Sequence, residues 1–418
     1  MTRLGPVLES AWESVALSYL VTTKYGHPFA SETFNTDRVG VPVIRIRDVI
    51  PGRVQTWADE TPATEAWVTN GDIVIGMDGD FNHRLWDAGD AAMNQRVCAL
   101  RPGPRMDRRY LNYVVGYPLK RINETVHYTT VKHLSFADLL AQRVPVPPLE
   151  TQRGIADVLD AETARIDTLI EKNNEAQRLA ETKLREEIAT AVTLGPEGSS
   201  RPVAGSSWAY EVNGSWDWAP YQYFAELGSG HTPSRSRGDL WENCTIPWVT
   251  TADVKHLRDH RREYLEETTH HLSEAGLAHS AARLLPARTV VLSRTASVGF
   301  SAIMAKPMAT SQDFFTWTCD EGRLLPEYLL YVLRAMKFRG HFDRLMYGST
   351  HQTIYFPDLV QLRGPVPPVP EQRAVVEYIR KRSGPVHRLA DRVQRTNELL
   401  RLRRQALITA AVTGEIEV

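Results

Sequence analysis

Two short clusters in the sequence carry side chains that could bind a metal ion. Asp78-Gly79-Asp80 offers two carboxylates, and His270-His271 offers two adjacent imidazoles. A cation held by oxygen atoms needs further oxygen ligands, and zinc needs a spaced set of four ligands, which neither cluster has. We therefore interpret Asp78 to Asp80 as a turn and the histidine pair as part of a surface helix or loop, and we expect no metal site.

The sequence carries no signature of catalysis. It has no Asn-Pro-Pro-Tyr or Asp-Pro-Pro-Tyr box, no Gly-x-x-x-x-Gly-Lys phosphate loop and no His-Glu-x-x-His zinc site. Cys98, Cys244 and Cys319 are scattered and odd in number, which fits neither a disulfide framework nor a zinc cluster. We expect them to be ordinary buried thiols.

A long internal repeat sets the organisation of the chain. Pro-Val-Pro-Pro-Leu-Glu-Thr-Gln-Arg at 145–153 returns as Pro-Val-Pro-Pro-Val-Pro-Glu-Gln-Arg at 365–373, an offset of 220 residues from Gln152 to Gln372. The same offset relates 130–143 to 350–363 and 188–193 to 408–413. This period is too long for a solenoid, whose units run to roughly 20 to 50 residues. It predicts two similar domains in a pseudo-twofold molecule.

The composition is typical of a soluble globular protein with two or three domains, with 42% hydrophobic and 24% charged residues. No membrane span or secretory signal is predicted, so we expect a cytoplasmic protein. The formal net charge of −1 gives no overall attraction to nucleic acid. Basic residues do cluster at 101–109 and at 255–262, where each cluster either contacts phosphate or is a solvated face.

The predicted fold class is α/β, with two variable domains that are each followed by a long helix. We predict a first domain at 1–143, a proline box with a helix at 144–196, a second domain at 197–363 and a second box with a helix at 364–418. Predicted strands lie at 41–46, 72–75, 246–250 and 289–293, and a helix at 325–335. Glycine, proline and serine at 195–202 are typical of a linker.

The two long helices carry apolar residues at coiled-coil spacing. The predicted seam consists of Ile155, Leu159, Ile166, Leu169, Ala176 and Ala180 in the first helix, and of Val375, Ile379, Val386, Leu389, Val393 and Leu400 in the second. Glu162 and Asn173 would be polar seam residues that set the alignment. We favour antiparallel pairing of the helices over helices that each lie on their own domain. Gly384-Pro385 is expected to kink or interrupt the second helix.

Together these residues resemble the specificity subunit of Type I restriction-modification systems. Each half has a Thr-x-x-x-(Leu/Ile)-x-Phe-x-Asp-Leu stretch, then the Pro-Val-Pro-Pro box, Gln-Arg and a long helix. The resemblance covers nearly the whole chain and is strongest at 348–359 and 365–373. It implies two target-recognition domains that each read one part of a split DNA sequence, with the gap fixed by an antiparallel coiled coil.

The resemblance also implies that this subunit performs no chemistry. It would carry two methyltransferase subunits, which methylate adenine with S-adenosylmethionine, and two ATP-driven restriction subunits that cleave unmodified DNA. No cofactor is expected on this chain, since S-adenosylmethionine, ATP and Mg would be used by the partner subunits. Two alternatives from other classes stay open: a single-chain restriction-modification enzyme or nuclease, and a two-domain adaptor that binds protein.

The two halves depart from each other where the resemblance places a polar loop after a strand. The second domain has Leu-Ser-Arg-Thr-Ala-Ser-Val-Gly at 292–299, whereas the first has Gly-Met-Asp-Gly-Asp at 76–80, and two acids are poor neighbours for phosphate. The first copy also lacks the Gly-Ser that precedes Thr350 in the second. We therefore expect the two domains to read different sequences.

Candidate DNA-binding residues follow from the chemistry of base and phosphate recognition. Arg pairs with guanine, Asn or Gln pairs with adenine, and Lys, Ser and Thr commonly hold phosphates. In the first domain the candidates are Arg45, Arg47, Asn82, Arg84 and Lys132. In the second they are Arg235, Lys255, Arg294, Ser297, Ser349, Thr350 and Gln352. The alternative is structural: Ser349 and Thr350 would close a turn, and Arg45 and Arg47 would alternate along a strand.

Overall fold

The computed structural model describes residues 12–125, 132–195, 199–349 and 352–416. The chain divides into two compact units, Met1–Lys172 with Arg395–Val418, and Asn173–Gln394. Each unit therefore holds one α/β domain and one segment of each long helix. The expectation of two sheet-rich α/β domains with two long helices is confirmed.

The α/β domain of the first unit is built from short strands and helices. Its strands are β1 Ser14–Ala16, β2 Val21–Tyr25, β3 Phe34–Asn35, β4 Val41–Ile44, β5 Thr56–Ala58, β6 Trp67–Val68, β7 Ile73–Gly76, β8 His83–Leu85, β9 Ala91–Met93, β10 Val97–Pro102 and β11 Arg143–Pro145. Its helices are α1 Ile46–Val49, α2 Arg108–Val114, α3 Gly116–Thr125 and α4 Phe136–Ala141. The first long helix follows as α5 Leu149–Leu194.

Two sheets form the core of this domain. The sheet β2-β10-β7-β8 is antiparallel, and β3-β5-β4-β9-β6 is mixed because β4 and β9 run parallel. Strand β7, with the sequence Ile-Val-Ile-Gly, is buried along its whole length, as β-branched residues favour. Helix α2 begins after Asp107, whose carboxylate accepts hydrogen bonds from the amides of Arg109 and Tyr110. These elements fix where the loop after β7 emerges.

The second unit carries the corresponding elements. Its strands are β12 Ser200–Pro202, β13 Glu211–Asn213, β14 Asp217–Pro220, β15 Ala225–Ser229, β16 Ile246–Val249, β17 Tyr264–Leu265, β18 His270–Leu272, β19 Val290–Ser293, β20 Ser301–Met304, β21 Ala309–Thr310, β22 Phe314–Cys319 and β23 Arg363–Val366. Its helices are α6 Glu274–Ala278, α7 Pro326–Phe338, α8 His341–Leu345 and α9 Phe356–Val360, and the second long helix is α10 Val369–Thr413.

The sheets of the second domain repeat the topology of the first. The order β15-β22-β19-β20 matches β2-β10-β7-β8, with β17 added at the edge, and β16 runs parallel to β21 as β4 does to β9. The predicted strands and the predicted helix at 325–335 are present, with ends that differ by up to three residues. One prediction is wrong: His270 and His271 lie in strand β18, which pairs with β16, and not in a helix or loop.

Within each unit, segments of α5 and α10 pack against each other in antiparallel directions. In the first unit the buried contact residues include Ile155, Leu159, Ile408 and Val412. In the second unit they include Ile188, Val192, Val375 and Ile379. Ion pairs flank these contacts, with Arg404 Nε 3.4 Å from Asp167 Oδ1 and Arg382 Nη2 2.7 Å from Glu187 Oε1.

The predicted seam is right at its ends and wrong in the middle of α5. Leu169 and Ala176 are exposed, whereas Thr163 is buried with only 5% of its surface accessible. Glu162 is likewise not the buried polar residue, since its carboxylate lies 3.8 Å from Arg165 of its own helix. The error arose because the middle of the buried face is polar, so apolar spacing pointed to the neighbouring face.

Gly384-Pro385 does not interrupt the second helix, because α10 runs unbroken from Val369 to Thr413, and the alternative of a kink stays a prediction. Pro385 has no N–H to donate to the carbonyl four residues earlier. Buried residues on either side of it, Ile379 and Ala390, hold the helix in place through their packing.

The predicted linker at 195–202 is partly ordered, since Ser200–Pro202 pairs with Glu211–Asn213. Residues 196–198 lie outside the described residues.

Among the described residues, no helix is both long and apolar enough to cross a membrane. The thiol of Cys98 is buried, as predicted, while Cys244 and Cys319 are partly buried. Burial raises the pKa of Cys319 to about 12, so that thiol is protonated at neutral pH.

Candidate nucleic-acid interface

The two chain segments that enter and leave each α/β domain lie side by side, and this pair of segments is called the neck. In the first unit the Leu17 amide donates to the Gln142 carbonyl at 2.9 Å, beside the β1–β11 pair. In the second, the Tyr221 amide donates to the Leu362 carbonyl at 3.0 Å, beside the β14–β23 pair. Because both ends of a domain meet at one place, each domain is a module inserted into a common frame.

The glutamine of the repeated box, at the start of each long helix, is hydrogen-bonded to the α/β domain of its unit. Gln152 and Gln372 are fully buried. The Gln372 amide nitrogen donates to the carbonyls of Pro367 and Arg323, both at 2.8 Å, and its oxygen accepts from the Leu325 amide at 2.7 Å. Gln152 makes the same three kinds of bond in the first unit. The repeat of this residue is therefore explained by structure.

A buried tyrosine ties the box to the end of the opposite long helix within each unit. The Tyr110 hydroxyl lies 3.0 Å from the Pro145 carbonyl and 3.4 Å from that of Val412. The Tyr328 hydroxyl lies 3.2 Å from the Pro365 carbonyl and 2.9 Å from that of Val192. These contacts explain why the segments 188–193 and 408–413 repeat together with the boxes.

Replacing Gln372 by Ala is expected to destabilise the protein strongly. The change leaves the buried Leu325 amide and the buried Pro367 carbonyl without partners, at about 1–3 kcal/mol for each unsatisfied group. We expect the free energy of unfolding to fall by about 2–4 kcal/mol in urea titrations. Arg373→Ala, at the exposed neighbouring position, is the control and should change it by less than about 0.5 kcal/mol. Equal stability of the two variants would contradict the role of the glutamine.

In the second domain, the loop after β19 lies against the segment that precedes α9. The Ala296 amide donates to the Gln352 carbonyl at 2.9 Å, and the Thr295 and Thr353 hydroxyls are 3.0 Å apart. Ala296 adopts a positive φ of 62°, which turns the loop. The arrangement brings Ser297 and Gln352 together, although 55 residues separate them in sequence.

The corresponding loop of the first domain occupies the same place after β7. The Gly79 amide donates to the Lys132 carbonyl at 3.0 Å, and the His133 Nδ1 lies 2.7 Å from Asp78 Oδ1. The sequence match between 76–80 and 292–299 is confirmed, as is the turn at Asp78 to Asp80. The two loops present different chemistry, since an acid-imidazole pair stands where the second domain has two threonines.

Among the second-domain candidates, exposure separates the available side chains from those already bound. Lys255, Ser349 and Gln352 are exposed, and Arg235 is exposed with its guanidinium 5.7 Å from the centre of the Trp241 ring. Arg294 is bound within the domain: its Nε donates to the Gln312 carbonyl at 2.9 Å and its Nη1 to that of Ile354 at 3.2 Å. Thr350 lies outside the described residues.

The first-domain candidates are more dispersed. Arg45 and Arg47 do not alternate along a strand, because β4 ends at Ile44 and Arg45 caps the short helix α1, where its amide donates to Asp48. The Arg47 Nη2 donates to Thr56 Oγ1 at 2.9 Å, yet both arginines stay exposed.

The remaining first-domain candidates lie beyond that short helix. The Arg84 Nη1 donates to the Ile50 carbonyl at 3.1 Å, whereas its Nε is buried without a described partner. The Lys132 Nζ is held by the backbone carbonyl and the side chain of Asn123 at 2.7 and 2.9 Å. Asn82 is partly buried beside β8. Lys132 is therefore engaged within the fold.

One residue beside the second-domain loop was not among the candidates. Arg258 is exposed, and its Nη2 lies 3.4 Å from Ser297 Oγ, a weak contact that leaves its charge accessible. Its place in the basic cluster at 255–262 was the available sequence signal. The cluster at 101–109 is instead neutralised in part, since Arg101 binds Asp72, Arg105 binds Glu13 and Arg109 binds Asp157.

The long helices repeat exposed positions as well as buried ones. Arg153 and Arg373 are exposed at equivalent positions of α5 and α10. Val158 and Tyr378 are 40% and 37% exposed, and Leu179 and Leu399 are 54% and 66% exposed, again at the offset of 220 residues. Exposed apolar side chains therefore stand at matching positions of the two long helices. In the part of the chain that the structure describes, no group of His, Cys, Asp and Glu could hold a metal ion.

The fold and these loops define a protein with two separate recognition modules. The family described as Type I restriction modification DNA specificity domain matches residues 9–178 and 219–383. These ranges cover most of the sequence, so the chain belongs to this family, and the resemblance seen in the sequence is confirmed.

Individual relatives agree with this assignment. The Escherichia coli Type I restriction enzyme EcoBI specificity subunit is 32% identical over 187 residues, which is 44% of this chain and 40% of that protein. The Methanocaldococcus jannaschii MjaVIII specificity subunit is 20% identical over 367 residues, 85% of this chain and 81% of that protein. The matches to EcoBI and to two further specificity subunits span only 37% to 41% of those proteins.

Solved structures share the fold. A chain from work on complex assembly and conformational transition of the type I R-M system superposes with a TM-score of 0.72 at 17% identity, covering 99% of this chain and 100% of that one. The HsdS subunit from Thermoanaerobacter tengcongensis gives a TM-score of 0.50 at 17% identity, with both chains fully covered.

Proposed function

We propose that this chain is the DNA-recognition subunit of a Type I restriction-modification complex and that each α/β domain reads one half of a bipartite site. The proposal rests on one observation that holds in both domains. The loop after β7 is hydrogen-bonded to the segment at Lys132, and the loop after β19 is hydrogen-bonded to the segment at Gln352. That pairing presents side chains of different chemistry on the same scaffold. Two matched scaffolds with different loops suit a site with two unlike halves.

The contacts with bases and phosphates are assigned to the accessible candidates. In the second domain these are Lys255, Ser297, Ser349, Gln352 and the added Arg258. Arg235 is included because it is exposed, and Thr350 because it follows Ser349 in the sequence. In the first they are Arg45, Arg47, Asn82 and Arg84. Lys132 and Arg294, which the fold already engages, would act by holding the two recognition loops in shape.

The partners are methyltransferase and restriction subunits, and the exposed positions that repeat on α5 and α10 support two methyltransferase subunits per chain. This chain would perform no chemistry and bind no cofactor. S-adenosylmethionine, ATP and Mg would be used by those partners in the cytoplasm.

The purified chain is expected to show no methylation, cleavage or ATPase activity. Adding its methyltransferase subunit should give adenine methylation at one split motif, detected by methylation mapping, with two methyltransferase subunits per chain by native mass spectrometry. Duplex binding by that complex should weaken as salt rises, because phosphate contacts release counterions. Methylation or cleavage by the isolated chain that is lost in an Asp78→Asn/Asp80→Asn variant would refute the proposal.

Replacing Arg258 by Gln is expected to weaken duplex binding by the methyltransferase complex about tenfold and to reduce the salt slope by about one. The reason is the loss of one accessible charge beside the second recognition loop. Arg283→Gln, which removes another exposed charge of the same domain at a site away from the loop, should leave affinity unchanged. Equal effects of the two substitutions would remove Arg258 from the interface.

A further inference from the structure

A cavity of about 190 Å³ lies inside the second unit, apart from the recognition loops. It is lined by helix α7, the turn at 259–263, and the parts of α5 and α10 that belong to this unit, and it is partly open to solvent. Its polar lining includes the guanidinium groups of Arg185 and Arg334 and the hydroxyl-bearing residue Ser383. The cavity is therefore large enough for a small polar molecule.

Arg334 is a buried cation without an acid partner. Only 3% of the residue is exposed, and among the described residues its Nε has no hydrogen-bond partner and no carboxylate lies within 4.0 Å of its guanidinium. Its Nη2 donates to the Arg262 carbonyl, and the guanidinium lies 5.6 Å from the centre of the Tyr331 ring. Burial lowers the pKa of Arg334, which reflects the cost of charge at this position.

The acid of the cavity wall is already engaged. Glu263 Oε1 accepts from the Tyr331 hydroxyl at 2.6 Å, and Oε2 accepts from Arg380 Nη2 at 2.5 Å. Burial alone would raise the pKa of Glu263, but the bonds from Arg380 and Tyr331 lower it. Glu263 therefore has its hydrogen bonds with Arg380 and Tyr331, and it acts on Arg334 only through its charge.

The cavity lining also includes the acids Glu181 and Asp259, and the negative charges of Glu263 and Asp259 partly offset the effect of burial on the pKa of Arg334. The Arg185 guanidinium contacts the Phe338 ring, 5.4 Å from its centre, and adds a second positive charge. His260 also lines the cavity, and burial followed by the nearby Arg334 charge lowers its pKa to about 3. His260 is therefore neutral near pH 7, while Asp259 accepts a bond from the Arg261 amide at 3.0 Å.

The internal repeat shows that the fold does not need this arginine. In the first unit, the position three residues after Tyr113 is Gly116, whereas the position three residues after Tyr331 is Arg334. The Tyr113 hydroxyl is bound to Asp160 at 2.6 Å and lies 3.3 Å from Thr163 Oγ1. In the first unit the equivalent tyrosine is bound by an aspartate of α5, and glycine stands where the second unit has Arg334.

We propose that this cavity binds a phosphate group, with Arg334 Nε and the Arg185 guanidinium as its cationic donors and Ser383 as a neutral donor. A tetrahedral oxyanion accepts hydrogen bonds from several directions, which fits donors on α5, α7 and α10. The volume accommodates a phosphate monoester as well as inorganic phosphate. The site is distinct from the recognition loops and independent of the proposed reading of DNA.

Calorimetric titration of the full chain with inorganic phosphate and with glycerol 3-phosphate, at constant ionic strength, tests this site. We expect saturable binding, and a melting temperature that rises with phosphate but not with chloride. Arg334→Met should abolish binding while leaving the protein at least as stable, since it removes an unpaired buried charge. Arg185→Gln should weaken binding about tenfold, and Lys183→Gln, an equal charge change on the same helix, should not.

Several results would overturn the proposal. Absence of saturable binding of both phosphate probes, unchanged binding in Arg334→Met, or equally tight binding of acetate would each do so. If Arg334→Met fails to fold, the comparison of Arg185→Gln with Lys183→Gln decides. Competition by duplex DNA then identifies the source of the phosphate: displacement assigns the site to the DNA backbone, and lack of displacement assigns it to a free phosphate compound.

Discussion

Replacing residues 221–362 by the matching segment of a relative is expected to change one half of the methylated motif and to leave the other half as it was. Methylation at the original half-site should fall to background, while a new half-site appears at the same spacing. The expectation rests on the neck of the second module, where the Tyr221 amide donates to the Leu362 carbonyl. A cut at this pair keeps strand β14 together with its partner β23. The module also packs against α5 and α10 in one hydrophobic core.

The sequence alone would place the borders of this exchange at 197 and 363, and the structure favours borders at 221 and 362. Residues 200–213 form the β12–β13 hairpin, and β14 pairs with β23 from Arg363 to Val366. A border at 197 would replace β14 while retaining most of its partner strand. Borders at 221 and 362 keep both strands from the same parent, so the frame of the second unit stays intact.

The exchanged module must also keep its contacts with the helix segments of its own unit. Arg261 Nη1 lies 2.5 Å from Asp391 Oδ1, and Arg339 Nη2 lies 3.0 Å from Glu186 Oε2. A donor module that lacks these arginines should receive them. The control is a chimera with the donor scaffold, these two arginines restored and the recognition loops of this chain. It should keep the motif of this chain. Alteration of both half-sites in a stable chimera would contradict modularity.

The sequence was sufficient for the architecture because the architecture is repeated. The two domains and the long helix after each proline box were predicted from a block that recurs at a constant offset of 220 residues. The burial of Gln152 and Gln372 was not predicted. The strands also followed from β-branched runs, such as Ile73 to Ile75, whose burial requires no knowledge of distant residues.

The candidate site was harder to predict, since it depends on contacts between distant segments. The Ala296 amide meets the Gln352 carbonyl across 56 positions, and local patterns contain no information on that contact. Residue chemistry also does not reveal whether a basic group is available. Lys132 is held by Asn123, whereas Arg258, of the same charge class, is accessible.

The two long helices connect the units along the chain. The boundary between the units falls between Lys172 and Asn173 in α5 and between Gln394 and Arg395 in α10. If these helices set the spacing of the half-sites, a change in their length must change the gap. An insertion before Ala191 is unsuitable, because Val192 is buried and its carbonyl accepts from Tyr328 within the second unit. Insertions at the two connections leave both units intact.

Matched insertions of four residues after Lys172 and after Gln394 are therefore expected to lengthen the gap in the methylated motif by one to two base pairs. Four helical residues add roughly 6 Å at 1.5 Å per residue, and duplex DNA rises about 3.4 Å per base pair. Both half-sites should keep their identity, as read by methylation mapping with the partner methyltransferase.

The control is the same insertion in α5 alone, which leaves the two connections unequal in length and should reduce methylation because the paired segments no longer match. Matched insertion with an unchanged gap in an active complex would show that the helices do not set the spacing. The inference from the antiparallel contacts of α5 and α10 would then be limited to stabilising each unit by itself.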